Sequence, residues 1–261
     1  MDYILGADLI FWVSIVGFSA GFLDAIVGGG GLIMTPAMMS LFPGFEILKI
    51  MGTNRTSSIL GTSTAALNYF RMVSISPKVV AASALSAMVA AIVGVQLASL
   101  LDPKVLTAVV LVFIIFIAIY SYFQPSFGLS ESASSGDADR PLHAAMVGAA
   151  CGFYNGFIGP GTGLILVFAF VSLMGMNFLR ASAISKVTNV SGDLGSWIVL
   201  LSKGLVFWPA AIPLIVSNVL GSYVGSKMAI LKGSRFIKTV FFVVVLMMIA
   251  NLLYKLLHQS T

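Results

Sequence analysis

The chain has 261 residues, 59% of them apolar and 9% charged, with a net charge of +5 and a mean hydropathy of +1.05. Soluble domains carry about 25% charged residues, so this composition excludes a water-soluble fold and predicts a polytopic membrane protein. The surplus of positive charge then reads as topology and lipid-headgroup contact at helix ends, with no nucleic-acid partner. Cys151 is the sole cysteine, and the two histidines, His143 and His258, lie far apart. No disulfide framework, metal site or cofactor is expected. The N-terminal segment MDYILGAD carries no Lys or Arg ahead of the first apolar run, which argues against a cleaved signal peptide.

A spanning helix needs roughly 20 mostly apolar residues. In chain order, the first repeat (1–123) is expected to hold long helices near 8–27, 49–70, 79–101 and 105–123. A polar, Ser- and Asp-rich stretch at 124–141 reads as a linker. The second repeat (142–261) is expected to hold helices near 142–158, 177–201, 205–230 and 236–257, with Pro209 and Pro213 kinking the third of these. Between the first two helices of each repeat lie apolar segments too short to cross, 32–42 and 164–174.

The two halves are written from one template. Residues 17–31, GFSAGFLDAIVGGGG, return at 148–163 as GAACGFYNGFIGPGTG. A shift of 131 carries Gly17 onto Gly148, Gly21 onto Gly152, Asp24 onto Asn155, Gly28 onto Gly159 and Gly30 onto Gly161. Past the glycines an offset of 132 is predicted, placing Asn54 on Lys186, Ser57 on Asn189 and Gly61 on Asp193, before 131 returns with Gly94 on Gly225. The Gly-x-x-x-Gly spacings at Gly17/Gly21, Gly148/Gly152 and Gly221/Gly225 predict close helix packing.

Threaded as re-entrant hairpins, each half makes three net crossings and the repeats are inverted. Arg71, Lys78, Arg140, Arg180, Lys227, Lys232, Arg235 and Lys238 then share one face, against Lys49, Lys104, Lys203 and Lys255 on the other. The positive-inside rule puts the linker in the cytoplasm and both termini outside.

Duplicated broken helices in an apolar chain are the strongest sequence pointer to a secondary transporter, because they place unpaired backbone groups around a site at membrane depth. Gly28, Gly29, Gly30 and Gly31 form one break, and Gly159, Pro160 and Gly161 the other. The helices restarting after them present N–H groups and a positive dipole end, suited to an anion. The plainer alternative is a turn that only lets helices approach.

Four charges fall inside predicted spans, Asp24, Arg55, Lys186 and Asp193, each costing at least about 2.5–3.5 kcal/mol to insert at a helix centre. Lys186 and Arg55 are candidate charge partners of an anion, with Asn54, Asn189 and Thr162 as hydrogen-bond donors. Asp24 and Asp193 are candidates for coupling to a proton or other cation. The alternative is structural ion pairing, of Asp24 with Arg55 or Lys186 with Asp193. The hydroxyls of Thr53, Thr56, Ser57, Ser58, Thr62, Ser63 and Thr64 either bond back to helical carbonyls or serve the ligand.

GFLDAIVGGGGLIMTPAMMSLF, GTNRTSSILGTSTAALNYFR, GFYNGFIGPGTG and ASAISKVTNVSGDLGSW together resemble the TauE/SafE sulfite-exporter family, also called the toluene-sulfonate uptake permease family. The resemblance covers roughly residues 8–257. It implies an inner-membrane carrier for sulfite, thiosulfate or organosulfonates. Arg55 stands where this resemblance leads one to expect Lys, and Asn155 where Asp is common.

The expected protein is therefore an all-α membrane carrier of two inverted repeats, moving a small anion by alternating access. Carriage of carboxylates and an anion channel are the alternatives. An intramembrane enzyme is not expected, since no span holds a central His and Cys151 has no basic partner in sequence.

Overall fold

The computed structural model describes residues 5–98 and 140–258. Within them every regular element is a helix: α1 (Ala7–Val27), α2 (Gly30–Leu41), α3 (Ile47–Phe70), α4 (Pro77–Leu97), α5 (Pro141–Phe157), α6 (Thr162–Met174), α7 (Phe178–Ser202) and α8 (Trp208–His258). The helix expected at 105–123 and the linker up to residue 139 lie outside the described residues. Ala7–Val27, Pro77–Leu97 and Trp208–Val244 are long and apolar enough to cross a membrane.

Local chemistry sets the helix ends. Gly28 closes α1 in the left-handed conformation (φ 85°), and its N–H returns to the Asp24 carbonyl. Pro77 and Pro141 open α4 and α5, where a missing N–H is harmless. Asn177 caps α7 by accepting from the Arg180 N–H at 2.9 Å, a contact worth about 1 kcal/mol. The last helical run breaks at Gly233 (φ 71°, ψ −170°), between the two helices expected near 205–230 and 236–257, where glycine reaches that conformation without a Cβ clash. Pro209 sits in the first turn of α8 and Pro213 inside its first segment.

The short helices fold back on the helices before them. Gly30 at the head of α2 lies against Ala20 and Asp24 of α1. Farther along, Met34 and Met38 join Val13 and Ala20 in one buried cluster. In the second half α6 is buried along most of its length, sharing a cluster with Val147 and Cys151 of α5.

The repeats are exchanged in their packing. Gly17 and Gly21 of α1 bring that helix onto Leu214 and Asn218 of α8, and Gly221 and Gly225 receive Phe18 and Phe22 in return. The same contacts recur between α5 and α4, with Gly148 on Ser83, Gly152 on Ala87 and Gly94 on Phe153. Gly17–Leu214, Gly21–Asn218 and Gly225–Phe22 map onto Gly148–Ser83, Gly152–Ala87 and Gly94–Phe153 by the shift of 131. All three Gly-x-x-x-Gly pairs thus do what their spacing predicts.

Residue numbers rise together along both seams, so α1 runs with α8 and α5 runs with α4. Helix α3 also runs with α8, from Gly52 against Leu205, through Gly61 against Asn218, to Asn68 donating to Ser226 at 2.9 Å. Two lysines lie over aromatic rings, Lys49 in the first turn of α3 over Phe45 at 4.6 Å and Lys227 of α8 over Tyr223 at 4.2 Å. Such pairs lay an apolar stem along the helix surface and set the charged head on a ring face.

Candidate functional site

The two glycine breaks meet. A Cβ on Gly28 would overlap the backbone of Gly163, and a Cβ on Gly163 the backbone of Gly28. Gly28 and Gly159, equivalent under the shift of 131, both have left-handed φ, 85° and 89°. Beside this crossing lies a cavity of about 60 Å³. One water needs about 10–15 Å³ on this measure, so the space suits an ion of a few heavy atoms.

Of the residues expected to form the site, Gly28, Gly30, Gly31, Asn54, Arg55, Gly159, Gly161, Thr162 and Asn189 line the cavity, and so do Asp24 and Asp193. Gly29 and Lys186 do not. Lys186, fully buried, donates to the backbone carbonyl of Asp24 and lies 3.9 Å from its carboxylate. Arg55 donates through Nη2 to the backbone carbonyl of Asn155 and to its Oδ1, at 3.3 Å for the latter.

These bonds correct the register. Asp24 and Asn155 are equivalent under the shift of 131, so Arg55 and Lys186, which hold their carbonyls, are equivalent under it too. The offset of 132 expected for this segment is therefore wrong. Without the inserted residue, Ser58 falls on Asn189, Gly61 on Gly192 and Thr62 on Asp193. The physical demand is shared: each cation sits at the negative C-terminal end of the other repeat's broken helix. The ion pairing is also crossed relative to expectation. Asp24 neighbours Lys186, and Asp193 lies within electrostatic reach of Arg55.

The corrected register exposes a trade between repeats. In the first, the Thr62 hydroxyl donates to the Asp24 carboxylate at 2.9 Å. In the second, the Asn155 amide donates to the Asp193 carboxylate at 3.0 Å. The carboxylate has moved from the first helix to the third while the contact is preserved.

Asp24 also accepts from the Gly30 N–H at 3.4 Å, so the head of α2 already faces a negative group. The head of α6 has no acid in its first turn and no side-chain cap. Nη2 of Arg55 packs against Gly159 just before it. Nη1 of the same guanidinium is buried without a hydrogen-bond partner among the described residues, as is Oδ1 of Asn54. An unsatisfied buried donor of this kind costs about 1–3 kcal/mol, more when charged, until a ligand supplies the acceptor.

The hydroxyl cluster sorts itself. Thr53, Thr56, Ser57 and Thr64 donate to carbonyls of their own helix, at Lys49, Gly52, Asn54 and Leu60. Ser58 and Thr62 turn instead to Asp193 and Asp24. Sequence reasoning passed over Asn218, a buried amide that lines the cavity from α8. The available signal was an Asn inside a predicted span, three residues before the Gly221 of a packing pair.

A profile of the sulfite exporter TauE/SafE family matches residues 13–252. The chain belongs to the sulfite exporter TauE/SafE family. It is 32% identical over 249 residues to the "Probable membrane transporter protein ORF9" of a Sinorhizobium species, covering 95% of this chain and 94% of that one. It is 31% identical over 256 residues to a "Probable membrane transporter protein" of Haemophilus influenzae, covering 96% of each. Against the "Probable membrane transporter protein YfcA" of Escherichia coli K12 the figure is 29% over 250 residues, 94% of this chain and 89% of the other. As a TauE/SafE protein with several apolar helices of spanning length, it is a multi-pass membrane transporter.

Proposed function

We propose that this TauE/SafE transporter is a secondary carrier of a small sulfur oxyanion, sulfite or thiosulfate in size, working by alternating access at the cavity between the two breaks. One observation carries the reading: a buried guanidinium with an unpartnered Nη1 lines that cavity beside the uncapped head of α6. Sulfite and thiosulfate each spread charge over three acceptor oxygens, which suits one Arg fork and one helix N-terminus together. Gly28, Gly30, Gly31, Gly159 and Gly161 admit the ligand to backbone N–H groups. Asn54, Thr162 and Asn189 are the polar neighbours that fix its orientation. Asp24 takes the coupling proton, being a carboxylate on the cavity wall of a broken helix.

The test is counterflow in proteoliposomes. Preloaded unlabelled sulfite or thiosulfate is expected to draw labelled anion inward against its gradient, more strongly than acetate or a bulky aryl sulfonate does. A channel gives no counterflow, and a response confined to carboxylates overturns the sulfur reading. With an imposed pH gradient, wild type is expected to accumulate anion and Asp24→Asn to lose that accumulation. Accumulation that still follows the gradient in the variant moves the coupling site elsewhere.

The repeats are read as inverted, with the face bearing Arg71, Lys78 and Arg140 in the cytoplasm of the inner membrane and the termini outside. The helix directions support this, α1 running with α3 and α8 while α5 runs with α4. Ser74, exposed between α3 and α4, and Ser202, exposed at the end of α7, lie at opposite ends of this arrangement. In a Cys151→Ala background, an impermeant thiol reagent applied outside is expected to label Ser202→Cys and spare Ser74→Cys. The opposite pattern reverses the orientation, and labelling of both or neither breaks the inverted threading.

A further inference from the structure

Two carboxylates from different repeats face one cavity, and they are joined through α3. Thr62 Oγ1 donates to Asp24 Oδ2 at 2.9 Å, Ser58 Oγ donates to Asp193 Oδ2 at 2.9 Å, and the two hydroxyls are 3.5 Å apart, one helical turn from each other. Thr62 is 1% exposed and does not line the cavity, so its hydroxyl serves no ligand there. We infer that Asp24 and Asp193 share a single transported proton, passed between the repeats through the Thr62 and Ser58 hydroxyls. The inference rests on the proton-coupled anion carrier proposed above.

The proton count closes. With both carboxylates ionised, each hydroxyl hydrogen points outward to its own acid, and the middle contact, the longest of the three, joins two oxygens with no hydrogen between them. One added proton on Asp24 Oδ2 reverses the chain. Asp24 then donates to Thr62, Thr62 to Ser58, and Ser58 to Asp193. Asp24 loses one proton, Asp193 gains one, and each hydroxyl gives one and receives one.

Charge fixes how many protons travel. Asp24 is faced by Lys186 from α7 and by Thr62 and Tyr69 from α3, and Asp193 by Arg55 and Ser58 from α3 and Asn155 from α5. The two acids also feel each other. Helices α2 and α6 carry no titratable side chain, and α8 presents the neutral Asn218. Two acids and two bases sum to zero. A monovalent anion entering this desolvated site leaves an uncompensated charge, which is costly at low dielectric. One proton on the shared pair restores neutrality, so one proton accompanies one monovalent anion.

Thr62→Val tests this, since it keeps the shape, both acids and both cations but cuts the chain. In proteoliposomes, pH-gradient-driven accumulation of labelled sulfite or thiosulfate is expected to fall at least tenfold further than exchange of the same anion does. Ser58→Ala is expected to lower the same ratio, and Thr62→Ser to restore it. Restoration by Ser separates a relay from a packing role, because Ser returns the hydroxyl without the methyl. With sulfite presented as the hydrogensulfite ion, at a pH acid enough to keep it singly charged, an internal pH dye is expected to record one proton per anion in wild type. If Thr62→Val and Ser58→Ala both keep the wild-type ratio, protons reach the acids through the cavity and the relay is wrong. A wild type that ignores the pH gradient fails the proton-coupled reading itself, a different result from loss of the relay alone.

Discussion

Gly28→Ala is expected to abolish recovery of folded protein from the membrane. The methyl group would overlap the Gly163 backbone, and the residue would be held at φ 85°. Neither side of the crossing can retreat, because α6 behind Gly163 is buried along most of its length and α1 before Gly28 is pinned to α8. Overpacking plus left-handed strain at such a point exceeds about 4 kcal/mol, beyond what single substitutions ordinarily cost. Gly163→Ala is expected to do the same. Gly204→Ala is the control, since Gly204 also has positive φ, 69°, but nothing within 4 Å of a Cβ. It meets strain alone, about 1–2 kcal/mol. Size-exclusion profiles of detergent-solubilised protein and thermal melts separate the three. A monodisperse Gly28→Ala protein with wild-type Tm refutes the crossing.

Arg55→Gln is expected to weaken anion binding by about 10- to 150-fold, the effect of losing a charged hydrogen bond of about 1.5–3 kcal/mol. Arg55→Lys is expected to fall between. A single ammonium reaches either the Asn155 carbonyl or the ligand, whereas the guanidinium holds the first with Nη2 and leaves Nη1 for the second. Lys186→Met provides the contrast. That side chain holds the Asp24 carbonyl and does not line the cavity, so its removal should lower Tm more than it raises the KM for counterflow. A wild-type KM in Arg55→Gln would dissociate Nη1 from the substrate.

Much of this was legible from period and punctuation. The apolar runs bounded by Gly and Pro placed seven of the helices to within a few residues, and the repeated glycines located both breaks. The register slip has a clear cause. The two repeats have traded functional groups across this segment. Asp24 became Asn155, and Thr62 became Asp193, so matching by residue type misled where the hydrogen-bonding geometry did not. Lys186 holds the Asp24 carbonyl away from the cavity lining, and an intramembrane cation beside a glycine break is equally suited to a bound anion and to a helix C-terminus. Nothing in sequence separates those two negative partners. Ser58 and Thr62 were buried among hydroxyls that bond to their own helix, and only their contacts with acids on α7 and α1 set them apart.

The exchanged packing also bears on how the chain is made. The small-residue face of α1 finds its seat on α8, about 200 positions later in the sequence. At a ribosomal rate of about 5–20 residues per second, that face waits on the order of 10–40 s in the bilayer before its partner emerges. For most of that interval Asp24 and the bare backbone at Gly28 to Gly31 have neither Lys186 nor the second break to meet. The first half is therefore a transient client for whatever shields polar groups at the insertion machinery. Splitting the gene at the linker should yield two fragments that are each degraded alone and protected when made together.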